Sequence, residues 1–197
     1  MKISGLIIAA GLSGRMNAFK PILEVNGKPL IQIVIEKLSP ACDDIVVVTG
    51  YKSDAIERVV MNLPGVKTLY NDEYEKGMFT SLKRGIKNLS NSDWVFYHFV
   101  DQPTIPDVFY KDFVQRINPE CNWIQPSYKN AKGHPILIAK NIFNLIMNAA
   151  DESSLKEISK NPEVQKQIWE CDYPEVLEDI DTQEDFNNRV LQKGKSI

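Results

Sequence analysis

The chain has 197 residues, 43% apolar and 25% charged, with a formal net charge of −3. That length gives one domain with a substantial core, or at most two small ones, and the composition is that of an ordinary globular protein. The weak negative charge excludes a broad polyanion-binding surface, so no nucleic-acid partner is expected, and no run approaches the roughly 20 apolar residues that span a bilayer.

Met1-Lys2 ahead of the apolar residues 3–12 has the outline of a short secretion signal. Only one positive residue precedes the run, however, and the run leads straight into a small-residue loop, so a strand is expected instead. Residues 6–10 should form a buried parallel strand. Small side chains at 9, 10, 11, 13 and 14 follow it, and Arg15 and Lys20 add two cations. Small residues let backbone N–H groups approach an anion closely, guanidinium suits bidentate phosphate contacts, and ammonium acts as a point charge. Two readings stand here: a triphosphate-binding loop, or an ordinary glycine turn with two solvated cations. The spacing fits neither a P-loop nor a dinucleotide fingerprint.

Asn26-Gly27 is a tight-turn dipeptide, and Pro29 suits the first turn of a helix over residues 30–38. Residues 44–49 form a β-branched strand, Ser53 can cap a helix with Ile56, Val59 and Val60 on one face, and residues 66–70 make a third strand. This alternation predicts a parallel sheet with helices on both faces. A polar loop then ends at Gly77 and opens a helix to about residue 89. Thr80 and Ser81 lie at its N-terminus, either as plain capping residues or facing a ligand.

Residues 95–100 should be a central strand, delivering Asp101 just past its carboxyl end, where open α/β sheets bind ligands. Asp101 is either a hard oxygen ligand for Mg²⁺ or a turn residue before a helix near Pro106. His98 is expected as a packed sheet histidine. Phe109, Phe113 and Ile117 mark a helix face, and residues 123–126 a further strand. Residues 129–133 read as a mobile loop, leading to a His134 that either binds an acceptor or anchors a turn. A helix over 142–149 and a strand over 164–171 follow. Thr182 and Asp185 form a capping-box-like pair before a last helix. Asp179 and Asp181, two residues apart on an extended segment, share a side; an acidic cluster there is either a solvated surface or a ligand pair. Cys42, Cys121 and Cys171 are odd in number without metal-ligand spacing, so a reduced, cytoplasmic setting is expected.

Four motifs occur in one order: Ala9-Ala10-Gly11-x-Ser13-x-Arg15-Met16-x-x-x-Lys20-Pro21, Gly77-Met78-x-x-Ser81-Leu82, Asp101-Gln102-Pro103, and Asp179-Ile180-Asp181-Thr182-x-x-Asp185. Together they resemble the MobA-like NTP transferases, nearest the molybdenum cofactor cytidylyltransferase branch, which Gly133-His134-Pro135 also resembles. Asn17 stands where that family usually has glycine, and Phe79 and Thr80 stand where small serines are common. The resemblance implies a three-layer Rossmann-like nucleotidyltransferase fold with a mostly parallel central sheet. It also implies a single domain over 1–197, with nucleotide held mainly by the N-terminal half and acceptor by the C-terminal half.

By the same resemblance, Arg15, Lys20 and Asp101 are catalytic, and Ala9, Ala10, Gly11, Ser13, Arg15, Lys20, Gly77 and Ser81 bind the nucleotide. Asp101 and Asp181 hold Mg²⁺, with Asp179 a weaker candidate, and His134 faces the acceptor. Ala9-Ala10-Gly11, in place of Ala-Gly-Gly, points to CTP. The implied reaction moves CMP to the phosphate of molybdenum–molybdopterin with release of pyrophosphate, and a molybdenum hydroxylase is the implied protein partner. Relatives with the same nucleotide half act on sugar, polyol or other phosphates. A non-catalytic nucleotide-binding chaperone of a molybdoenzyme is a third reading, against which the full set of Arg15, Lys20, Asp101 and Asp181 speaks.

Overall fold

The computed structural model describes residues 1–12, 16 and 18–191, with side chains to residue 188. In chain order the elements are β1 (Ile3–Ala9), a hairpin of β2 (Glu24–Val25) and β3 (Lys28–Pro29), α1 (Leu30–Leu38), β4 (Asp44–Thr49), α2 (Ser53–Val60), β5 (Val66–Tyr70), α3 (Met78–Asn88), β6 (Trp94–Phe99) and α4 (Asp107–Val114). There follow β7 (Trp123–Tyr128), β8 (Ala131–Lys132), β9 (Ile136–Ala139), α5 (Phe143–Asn148), α6 (Leu155–Ile158), β10 (Lys166–Glu170) and α7 (Gln183–Asp185).

The main sheet runs β10-β7-β9-β6-β1-β4-β5, with β8 paired to β7. β1 pairs parallel with both β4 and β6, as β4 does with β5 and β7 with β10. Only β9 and the short β8 run antiparallel to their neighbours. Strands buried on both faces need apolar residues at every position. β1 is accordingly buried throughout, and its side chains alternate between two cores. Ile7 joins Val47, Phe96 and Leu137 beneath α1, α2 and α4. Leu6 and Ile8 join Val46, Val48, Val95 and Tyr97 beneath α3 and α5. This is a three-layer α/β fold of the Rossmann-like nucleotidyltransferase type.

The β2–β3 turn has positive φ at Asn26 (53°) and Gly27 (76°), the left-handed pair that a two-residue hairpin requires. Three expectations change. Ser53 does not cap α2: Lys52, in a left-handed conformation, precedes the helix, and the Ser53 hydroxyl donates to Glu57 instead. The mobile loop expected over residues 129–133 is replaced by a tight turn at Lys129 (φ 50°) and Asn130 (φ 66°) that leads from β7 into the paired strand β8. Ile117 lies beyond the end of α4, so Phe109 and Phe113 carry that helix's buried face. The Thr182–Asp185 capping box is present and opens α7. No helix among the described residues is long and apolar enough to cross a membrane.

Candidate active site

β1 sits between β4 and β6, so the chain winds away from it in one direction first and the other later. Such a reversal leaves a crevice beyond the carboxyl ends of the strands. Register places Ile8 opposite Phe99, which brings the loop after β1 alongside the Asp101 turn after β6. A cleft of about 320 Å³ opens there, bordered by Ala9, Ala10, Gly11, Lys20, Gly77, Ser81 and Asp101. These are positions separated by up to 92 residues in sequence; the parallel register brings the β1 and β6 ends together, and the Lys20 turn and the start of α3 supply the rest. Ser13 and Arg15 lie outside the described residues.

Lys20 stands at the start of a 3-10 turn, Lys20–Ile22, whose first turn Pro21 stiffens. Its side chain is buried, and Nζ lies 3.3 Å from Asp101 Oδ2 and 3.2 Å from Asp181 Oδ1. Asp181 reaches this point because the Ile180 N–H donates to Asp101 O at 2.8 Å, stitching the C-terminal segment onto the β6 turn. Ile180 itself is buried with Met16, Val25, Leu30 and Phe186 in a small cluster under the site. Asp179, two residues before Asp181, accepts from Gln102 Nε2 at 3.0 Å. One ammonium therefore meets two carboxylates, with a third close by.

Burial is the largest influence on Asp101 and raises its pKa above the ordinary carboxyl value, against the opposing pull of Lys20. Asp179 is raised as well, first by burial and then by the Asp101 and Asp181 carboxylates. Asp101 Oδ1 is buried with no hydrogen-bond partner. Among the described residues no three His, Cys, Asp or Glu side chains converge as a ready-made metal centre. Mg²⁺ does not need one, since it commonly takes one or two carboxylates and completes its shell with phosphates and water. The orphaned Asp101 oxygen and the neighbouring Asp181 carboxylate fit that demand.

The opposite wall is the start of α3. Thr80 and Ser81 are both buried, and Asn71, which sequence reasoning treated as part of a polar loop, donates from Nδ2 to both hydroxyls at 2.9 Å. Tyr74 and Phe99 also border the cleft without having been singled out. Gly50 bears on the same wall, for a Cβ there would lie 2.5 Å from the Tyr74 ring.

His134 does not border the cleft. Its backbone N–H donates to Val176 O at 3.0 Å, and its ring packs edge-on against Phe99 at 4.9 Å between centroids. Burial lowers its imidazole to about 4. The turn-anchoring contact is thus present, and the ring reaches the cleft only through Phe99. Gly133 beside it is held close, since a Cβ would meet Val176 O at 2.4 Å. His98 is a packed sheet histidine, fully buried between Tyr110 and the Phe99 carbonyl.

Residues 5–167 match the MobA-like NTP transferase domain. The chain belongs to that family. Over 185 residues it is 26% identical to the molybdenum cofactor cytidylyltransferase of Escherichia coli K12, covering 93% of each chain. It is 34% identical to the molybdenum cofactor guanylyltransferase of Vibrio atlanticus over 120 residues, 60% of this chain and 59% of that one. Among solved structures, a nucleotidyl transferase from Methanothermobacter superposes with a TM-score of 0.85 at 18% identity, covering 99% and 98% of the two chains. Family and fold together support nucleotidyl transfer to a phosphorylated small molecule.

Proposed function

We propose that this MobA-like protein is a Mg²⁺-dependent cytidylyltransferase that transfers CMP from CTP to the phosphate of molybdenum–molybdopterin. The observation that carries the reading is Lys20 held between Asp101 and Asp181 at the mouth of the cleft bordered by Ala9-Ala10-Gly11 and Ser81. Similarity to the E. coli cytidylyltransferase along nearly its full length supports the choice of nucleotide and acceptor.

In this reading the backbone after β1, with Lys20 and Arg15, holds the triphosphate, while α3 and the end of β1 receive the base. Asp101 and Asp181 would hold Mg²⁺, which when bound offsets charge on the phosphates as the α-phosphorus is attacked. The acceptor phosphate has a second pKa near ~6 and is mostly dianionic at neutral pH, so it attacks without a general base. One of its oxygens bonds to the α-phosphorus, and the bond to the β-phosphate bridging oxygen breaks. Pyrophosphate leaves with that electron pair. The protein's part is alignment and charge stabilisation. A molybdenum hydroxylase would then receive the dinucleotide cofactor.

The test is pyrophosphate release with Mg²⁺ and purified molybdenum–molybdopterin, comparing CTP, GTP, ATP and UTP. Release confined to CTP is expected. Release with GTP instead would move the protein to the guanylyl branch that the Vibrio relative represents. Release only with sugar or polyol phosphates would keep the transfer and replace the acceptor. Nucleotide binding without release on any acceptor would favour the chaperone reading.

A further inference from the structure

Ser81 borders the cleft, yet which face of its hydroxyl meets a ligand is decided by Asn71. The Asn71 side-chain oxygen accepts from the Glu73 backbone N–H at 3.1 Å. A backbone N–H can only donate, so the amide cannot be flipped, and Nδ2 must face α3. Its two protons go to Thr80 Oγ1 and Ser81 Oγ, both at 2.9 Å. Thr80 passes its own proton back to the Gly77 carbonyl at 2.8 Å and is thereby spent. Ser81 is different. It accepts from Asn71, and no acceptor among the described residues takes its proton. Asn71 is itself buried, with both ends of its amide engaged, so water has little means to reorient this pair.

From this hydrogen-bond polarity we propose that Asn71 is a positioning residue that fixes Ser81 as a hydrogen-bond donor, and that the cleft thereby selects a base carrying a carbonyl oxygen. The inference rests on the nucleotide-binding reading of the cleft and adds a direction to its base contact. Cytosine and uracil offer a ring carbonyl oxygen to such a donor, and guanine offers one on its six-membered ring. Adenine has none. Deleting a hydrogen-bond partner of this kind changes affinity by about 3- to 10-fold.

The experiment measures Mg²⁺-supported binding of CTP and ATP by calorimetry to the wild type, Ser81→Ala, Asn71→Asp and the double variant. Taking the ratio of the two dissociation constants cancels effects on the shared triphosphate and on the folded fraction. The wild type should prefer CTP. Ser81→Ala should cut that preference about 3- to 10-fold. Asn71→Asp keeps the shape of the side chain, but its carboxylate can only accept, so Ser81 turns its proton away from the ligand and the preference falls equally. In the double variant the Asn71 change should add nothing further.

A wild type that prefers ATP overturns the inference, as does an Asn71→Asp variant that keeps the wild-type ratio. Asn71 and Ser81 effects that simply add would reduce Asn71 to a staple between its loop and α3. If Asn71→Asp does not fold, an unchanged ratio in Ser81→Ala overturns the proposal by itself. The expected ratios together with no product on molybdenum–molybdopterin would overturn the acceptor assignment while leaving this inference standing.

Discussion

Lys20 illustrates how much of the site rests on single charges. Its ammonium lies within 3.3 Å of two carboxylates, of which Asp101 is already raised by burial, and removing it leaves Asp101 and Asp181 facing each other across the same gap. Loss of a charge-assisted contact to phosphate weakens binding by about 10- to 100-fold, so Lys20→Ala should raise the CTP dissociation constant by that order. Wild-type affinity in that variant would count against the phosphate-loop assignment. Asp101→Asn asks a different question, because an amide keeps the shape and one oxygen but removes the charge. Turnover should fall by roughly 100-fold or more while nucleotide binding persists, the pattern of a group whose contribution is made mainly in the transition state. Unchanged turnover would remove Asp101 from the mechanism. The carboxylates and lysine were visible in the sequence because each sits in a dense motif. Asn71 was not, because its meaning lies in partners nine and ten residues onward that only the turn at 71–77 brings back to it.

Among elements, β4, β5 and α1 coincide with their sequence readings end to end; in β4 and α1 an unbroken β-branched run and an apolar helical stripe leave little choice of period. The β7–β8 turn was hidden, because lysine carries no signal for the left-handed conformation that Lys129 adopts there. The start of α2 was misjudged for a related reason: Lys52 occupies the position where a serine cap was expected. Helix α3 shows an opposition that composition alone cannot resolve. Gly85 lies in its interior, where alanine would ordinarily gain about 1 kcal/mol of helix propensity. A Cβ at Gly85 would, however, lie 2.2 Å from Leu6 Cδ1 and 3.0 Å from its Cγ, and Leu6 is fully buried in β1. Overpacking of this kind costs about 1–3 kcal/mol, so the steric effect wins. Gly85→Ala should lower stability in urea by a net 1 kcal/mol or so. It should also weaken nucleotide binding, because the helix that moves carries Ser81. A more stable variant with unchanged binding would show that β1 and α3 can separate without disturbing the cleft.

At the scale of the whole molecule, the two histidines govern how the fold meets acid. Burial lowers both His98 and His134 to about 4, from an ordinary value of 6.5. The Phe99 carbonyl can only accept, so His98 Nδ1 carries the proton and Nε2 accepts from the Tyr110 hydroxyl. Neutral His98 is thus fully satisfied, and protonating it would place a charge in the sheet interior away from water. Between pH 6.5 and 4 the unfolded chain binds protons that the folded chain refuses, so stability is lost as pH falls through that window. A displacement of this size corresponds to roughly 3 kcal/mol for each histidine at the acid end. Asp101 and Asp179 act in the opposite sense: their raised values let the folded chain take up protons before the unfolded one, offsetting part of the loss. Glu36, Asp44, Asp151 and Glu170 lie below their ordinary values and add to the loss at the acid end, so with the large shifts of the two histidines the net slope should favour unfolding on acidification. His98→Gln removes one titrating group while keeping a polar side chain between Tyr110 and the Phe99 carbonyl. Its unfolding free energy, measured in urea from pH 7 to 4, should fall less steeply than that of the wild type, with His134 supplying most of the slope that remains. Parallel curves for the two proteins would mean that His98 titrates alike in the folded and unfolded chain, and that its burial at the centre of the sheet carries no proton linkage.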